Sequence, residues 1–107
     1  MRAYELMIIF DAGLDESAVQ NYINRIEAQA SESGATVERA DKWGVRRFAY
    51  EMKHRWEGFY VVLEILSPTS LDELDRNLRL ADEVLRHKFM RLPVPEAHRR
   101  GLAAATA

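Results

Sequence analysis

The stretch from Asp41 to Ile65, DKWGVRRFAYEMKHRWEGFYVVLEI, constrains the fold more than any other. It holds two runs of alternating character separated by the charged segment His54-Arg55-Trp56-Glu57-Gly58. Successive side chains of a strand point to opposite faces. In the first run Phe48, Tyr50 and Met52 therefore share one face, and Val45, Arg47, Ala49, Glu51 and Lys53 the other. In the second, Phe59, Val61, Leu63 and Ile65 share a face, with Tyr60, Val62 and Glu64 opposite. Strands with one apolar and one mixed face belong to an antiparallel sheet covered on one side only. The separating segment is too long for a two-residue primed turn, so residues 54–58 are expected to form a longer or bulged loop ending at Gly58.

The remaining segments are patterned to complete that sheet or cover it. Tyr4–Phe10 reads as a strand with Tyr4, Leu6, Ile8 and Phe10 facing inward. A helix follows from about Asp15, a good N-cap, with Glu16 suiting the positive end of the helix dipole. Its apolar stripe is Val19, Tyr22, Ile23, Ile26 and Ala30, and Ser33-Gly34 ends it. Thr36–Arg39 leads into the central hairpin. Ser70 and Glu73 have the spacing of a capping box, opening a second helix with Leu71, Leu74, Leu78 and Ala81 on its buried stripe. Val84–Leu92 is the fourth strand, with Leu85, His87 and Phe89 on one face and Arg86, Lys88 and Met90 on the other. The order β-α-β-β-α-β with right-handed crossovers gives an α+β fold, the ferredoxin-like sandwich, with both helices on one face of a four-stranded antiparallel sheet. Residues 1–92 are expected to form this single domain. Pro93–Ala107, Ala-rich and without pattern, reads as a flexible tail, ordered only by a neighbour if at all.

Composition removes several function classes. The chain has no cysteine, which excludes thiolate metal sites, disulfides and thiol catalysis. No apolar run is long enough to span a bilayer and none follows Arg2, so neither membrane span nor signal peptide is expected, and a cytoplasmic location is. His54, His87 and His98 lack metal-ligand spacing, and His87 reads as a packed ring. The adjacent acids Asp15-Glu16 and Asp82-Glu83 sit at helix ends, where neighbouring side chains point apart and a structural explanation suffices. No phosphate loop, dinucleotide fingerprint or nucleophile elbow occurs, so no catalytic residue, metal or cofactor is expected. Gly58-Phe59-Tyr60-Val61-Val62 is akin to the third-strand signature of RNA-recognition motifs. The base before the glycine and the further aromatics are missing, which leaves no stacking platform and makes Phe59 a core residue.

Charge is segregated although the net value is only -2. Asp11–Glu38 carries six acids against one base, and Leu71–Glu83 five against two. Arg39–Glu57 carries six bases against three acids, and Arg86–Arg100 five against one. Such a field lets one side of a domain meet a polyanion; the plainer reading is ordinary solvated faces. The uncovered sheet face is expected to carry Met7, Ile9, Val45, Tyr60, Val62 and Met90, rimmed by Arg47, Lys53, Arg86 and Lys88. So many apolar side chains on an open face suggest a partner, although a twisted sheet also leaves some wet.

Arg2-Ala-Tyr4-Glu5, then Trp43-Gly-Val-Arg-Arg-Phe-Ala-Tyr-Glu-Met-Lys53, then Gly58-Phe-Tyr-Val-Val, resemble the S-six family of bacterial small-subunit (30S) ribosomal proteins. The likeness extends through Leu71–Arg79 and Asp82–Arg86 and covers about Met1 to Leu92, with Arg46 to Lys53 its most specific piece. Phe48 and Met52 stand where the family commonly has Leu and Ile. The resemblance implies a structural role in the ribosome without catalysis. It implies binding to the central domain of 16S ribosomal RNA together with ribosomal protein S-eighteen as a heterodimer, the chain being a monomer in isolation. The candidate RNA contacts are Arg2, Arg79 and Arg86, which match family positions. Lys88 and Arg91 are added from charge and location, with Arg46 and Lys53 behind them. The candidate partner surface is Tyr60 and Val62 with Met7, Ile9 and Val45, together with an edge strand open to pairing. The alternative is a homodimeric ferredoxin-like module that holds a small ligand or performs cofactor-free chemistry.

Overall fold

The computed structural model describes residues 1–106, and its sheet is built around the most apolar strand. That strand, β1 (Arg2–Asp11), lies between β3 (Arg55–Ser67) and β4 (Val84–Leu92), and β2 (Thr36–Met52) completes the order β2-β3-β1-β4. All pairings are antiparallel. Helices α1 (Glu16–Glu32) and α2 (Asp72–Leu80) cover one face, which is the ferredoxin-like arrangement expected. Val19, Tyr22, Ile23, Ile26 and Ala30 of α1 and Leu74 and Leu78 of α2 are all buried. They close over Leu6, Ile8, Phe10, Val61, Leu63 and Ile65, and the Phe10 ring meets Tyr22 edge-on at 5.2 Å. Removing that much apolar surface from water supplies most of the driving force for the fold.

The helix ends follow their local chemistry, with one departure. The Asp15 carboxylate accepts the Ala18 N–H at 2.8 Å, and Gly34 leaves α1 at φ 81°, a conformation open to glycine. At α2 the capping box does not form. The cap is Leu71 without a side-chain bond, and the Ser70 hydroxyl donates to the Asp72 carboxylate at 3.0 Å instead. With Asp72, Glu73 and Asp75 all in the first turn, the dipole term takes over from the cap.

The hairpin departs further from expectation. Its turn is the two-residue Lys53-His54 pair, at φ 46° and 63°, with Met52 facing Arg55 across it. Both central residues at positive φ define the primed turn whose twist matches the flanking strands. Residues 55–58, expected in a loop, belong to β3. The pairing of β2 with β3 shifts at Val37/Arg39, Lys42/Gly44 and Arg47/Met52. Each bulge re-aims the side chains beyond it. Val45 consequently lies opposite Phe59 and Arg47 opposite Glu57, on the helix side, where alternation alone had put them on the open face. Phe48 and Met52 pack on the open face instead. A bulge in β4, between the Ile9–Arg86 and Phe10–Val84 pairs, turns Leu85 outward in the same way.

The segment read as a flexible tail is folded. Val94–Arg99 forms a short helix, α3, and Ala97, Leu102 and Ala105 pack on Ala3, Leu66 and Leu92. Helix α3 thus lies on the sheet face opposite α1 and α2. Small residues spaced without a helical or strand period gave no sign of this in the sequence.

Candidate interaction faces

The sheet face away from α1 and α2 is divided into three bands. At one end the hairpin folds back over it. Phe48, Ile9 and Leu85 are buried together, with Met7, Met52 and Tyr60 against them. Lys53 Nζ reaches the Val84 carbonyl at 3.4 Å, and Arg86 donates to the Tyr50 hydroxyl at 3.4 Å, which ties the hairpin across to β4. Glycine is required beneath this cover: a Cβ on Gly58 would lie 2.4 Å from Ile9 Cγ2 and 2.8 Å from Phe48 Cζ. At the other end lies the α3 segment.

Between them runs an open strip. Its rows, read across neighbouring strands, are Asp41, Val62, Met7 and Lys88, then Gly44, Tyr60, Ile9 and Arg86. Trp43, half exposed, stacks on Tyr60 with ring centroids 6.4 Å apart and planes within 7°. Of the sequence-derived partner residues, Met7, Tyr60 and Val62 line this strip and remain partly accessible. Ile9 is on the same face but buried, and Val45 is on the other face. Trp43 belongs with them and was not singled out; a bulge at Gly44 sets its direction, and no periodic pattern shows a bulge.

A third row, where the strip meets the α3 segment, is charged. Glu5 of β1 lies directly opposite Glu64 of β3, and Glu64 is almost wholly buried. Like charges facing each other across a strand pair repel. The Arg100 guanidinium resolves this, donating from Nη1 to Glu5 Oε1 at 2.9 Å and Glu64 Oε2 at 3.3 Å, and from Nε to Glu96 Oε1 at 2.9 Å. These bonds, Glu96 first and then Glu5 and Glu64, push the Arg100 pKa further above its ordinary value. The Glu96 carboxyl is held down in return, by Arg100 and then Arg99. Arg39 Nη1 sits 3.1 Å from Glu64 Oε1, yet that buried oxygen accepts no hydrogen bond, so the contact is a charge pair with poor geometry.

The bases divide by partner. Arg25, Arg39, Lys42, Arg55, Arg79, Arg99 and Arg100 each pair with a carboxylate. Of the candidate RNA contacts, Arg79 is thus engaged by Asp75, while Arg2, Arg46, Lys53, Arg86, Lys88 and Arg91 have no carboxylate within ion-pair distance among the described residues. Arg86 and Lys88 lie on the open face of β4, a free edge of the sheet, opposite Ile9 and Met7. Arg91, opposite Tyr4, points to the helix side of the same strand. Arg2 bonds the Tyr4 hydroxyl at 3.4 Å, beside that edge. Arg46 and Lys53 belong to the hairpin at the far end. His87 is packed as expected, its Nε2 2.6 Å from Asp75 Oδ1, which fastens α2 to β4. Among the described residues, no group of three or more His, Asp or Glu side chains could hold a metal ion, and no helix is long and apolar enough to cross a membrane.

Residues 3–91 match the family model described as Ribosomal protein S6. The small ribosomal subunit protein bS6 of Saccharopolyspora erythraea is 45% identical over 112 aligned positions, covering 100% of this chain and 92% of that one. The bS6 of Mycobacterium tuberculosis is 44% identical over 92 positions, covering 85% and 96%. Among solved structures, the 30S ribosomal protein S6 of Thermotoga maritima superposes with a TM-score of 0.81 at 28% identity, covering 94% of this chain and 96% of that one.

Proposed function

The chain belongs to the ribosomal protein S6 family of the small subunit, and on that premise we propose that it binds the central domain of 16S ribosomal RNA cooperatively with ribosomal protein S-eighteen. Its role is architectural and cytoplasmic, within the ribosome, and catalysis has no part in it. The observation that carries this reading is the set of carboxylate-free bases on β4, Arg86, Lys88 and Arg91, on an edge next to an accessible apolar strip. Unpaired bases release counterions when they meet phosphates, whereas a base already held by an acid gains little. A domain with acidic helices and a net charge of -2 binds RNA weakly alone. A second protein seated on Met7, Tyr60 and Val62 adds its own contacts, and the coupling between the two is typically about 1–3 kcal/mol.

The test is binding to a central-domain RNA fragment at near-physiological salt, with and without S-eighteen. Tight binding only with S-eighteen present, falling steeply with salt, is the expected result. Within the complex Arg86→Glu costs about 1–3 kcal/mol, as expected for a charge-assisted contact to phosphate. Absence of binding in both arms with both proteins folded overturns the reading, and a concentration-independent homodimer by light scattering would then support the ligand-binding alternative.

A further inference from the structure

The carboxylate pair on the sheet face has the makings of a receptor for one kind of side chain. Glu5 and Glu64 face each other in register, and the Glu64 side chain is only 7% exposed. Two carboxylates so placed need a cation, and a planar guanidinium can bond both at once where a lysine ammonium presents a single point charge. Arg100 bridges the two, with Arg39 Nη1 3.1 Å from Glu64 Oε1, and the Arg100 segment is also tied to the chain start, where the Met1 ammonium donates to the Ala104 carbonyl and Thr106 Oγ1. Helix α3 has six residues, far short of what persists alone, and the segment buries one large apolar side chain, Leu102, beside Ala97 and Ala105. Glu64 Oε1 is buried and accepts no hydrogen bond although Arg39 Nη1 lies 3.1 Å away, so the resident arginines leave one acceptor without a bond. The charged row also adjoins the open strip of Met7, Val62 and Tyr60.

We propose that Glu5 and Glu64 form an arginine-binding site on the sheet face, held by Arg100 until an arginine of a basic partner segment replaces it. The residues after Pro93 are then an intramolecular competitor, and docking of the partner and release of the tail are one exchange. Opening without a replacement would leave Glu5 without a cation and the buried Glu64 with Arg39 alone, so the exchange is favoured by the incoming arginine. That the incoming segment belongs to a ribosomal partner rests on the preceding reading; the site itself does not.

The test follows the tail amides of Leu102 and Ala105, bonded to the Ala97 and Leu102 carbonyls, by hydrogen exchange while a short capped Arg-Gly repeat peptide is titrated in. The Lys-Gly counterpart is the control for charge. The arginine peptide is expected to release both amides and the lysine peptide to release them far less. Arg100→Ala, with its competitor gone, binds the arginine peptide about tenfold more tightly than the parent chain, and Glu64→Gln binds it at least about tenfold more weakly. If Glu64→Gln does not fold, Glu5→Gln, at the more exposed partner, makes the same comparison. Peptide binding with the tail amides still protected, or equal binding by the parent chain and Arg100→Ala, overturns the proposal. The same readout with S-eighteen separates the two ideas. Exchange by the peptide without S-eighteen binding leaves the site standing and removes that partner; S-eighteen binding with the tail still docked does the reverse.

Discussion

Replacing Gly58 by Ala tests the packing that closes the hairpin over the sheet. The added methyl lies inside contact distance of two side chains, 2.4 Å from Ile9 Cγ2 and 2.8 Å from Phe48 Cζ, and 3.1 Å from the Phe10 carbonyl. Ile9 is β-branched and 2% exposed, so it cannot rotate away. The Phe48 ring can give, while the Ile9 contact is relieved only by a shift of the strand backbone. Overpacking of this kind costs about 1–3 kcal/mol. At about 2.1 cal/mol/K of unfolding entropy per residue, that lowers Tm by roughly 4–13 °C. Urea unfolding of the single variants and of the pair with Phe48→Ala separates the clash from other effects. Since the ring carries part of the clash, Gly58→Ala costs less in the Phe48→Ala background, with a coupling above about 0.5 kcal/mol, and the Ile9 contact keeps the remainder. Additive losses within that margin would refute the argument, as would a Gly58→Ala chain as stable as the parent. The same variant has a surface consequence, since a displaced Phe48 disturbs Tyr60, whose ring lies 6.2 Å away, and with it the Trp43 stack.

Three further outcomes follow from the fold. Leu78→Ala, at a side chain 1% exposed, should lose about 2–5 kcal/mol in chemical denaturation, whereas Leu80→Ala, at 70% exposed, should stay within about 0.5 kcal/mol; equal effects would mean α2 presents a different face. Exchanging Lys53-His54 for Asn-Gly places residues suited to positive φ in the primed turn and should raise stability by about 1 kcal/mol. A loss would show that the Lys53 bond to Val84 and the His54–Glu51 pair at 3.2 Å outweigh the backbone strain. The Asp11 carboxyl is held below its ordinary value of 3.8, first by the Gly13 N–H at 2.9 Å and then by Arg55 at 3.3 Å. A depressed folded pKa stabilises above the unfolded value and is lost as pH falls through the folded one. The stability advantage of the parent chain over Asp11→Asn should therefore be flat above about pH 5 and shrink below about pH 4 in acid titrations followed by circular dichroism.

The strands and both crossover helices were legible because their patterns are long and consistent. Five α1 residues recur at helical spacing, and Phe59, Val61, Leu63 and Ile65 alternate without a break. Alternation fails where residues are inserted. Three shifts between β2 and β3 carried Val45 to the helix side and Phe48 and Met52 to the other, and one in β4 turned Leu85 outward. A bulge leaves no periodic mark in a single sequence. The charged site failed for a related reason. Glu5 and Glu64 could each be placed on the open face from their own strands, but only the register sets them opposite one another. Arg100, 95 residues from Glu5, came from a segment with no pattern at all. The bases on β4 were readable as exposed; which bases already have an acid beside them was not, because Arg79 meets Asp75 within a helix turn and Arg55 meets Asp11 across the fold.

The position of β1 bears on how the protein is made. A ribosome delivers the chain from its N-terminus, so β1 is delivered before every strand that flanks it. Its first partner, β3, comes after α1 and β2, and its second, β4, comes only with the last strand of the sheet. Until then one side of an apolar strand is without its neighbour, and the hairpin of β2 and β3 is the largest piece that can assemble locally. Closing the sheet around its oldest strand requires contacts between distant parts of the chain, the slow kind of folding, and leaves an edge open to neighbouring copies during synthesis.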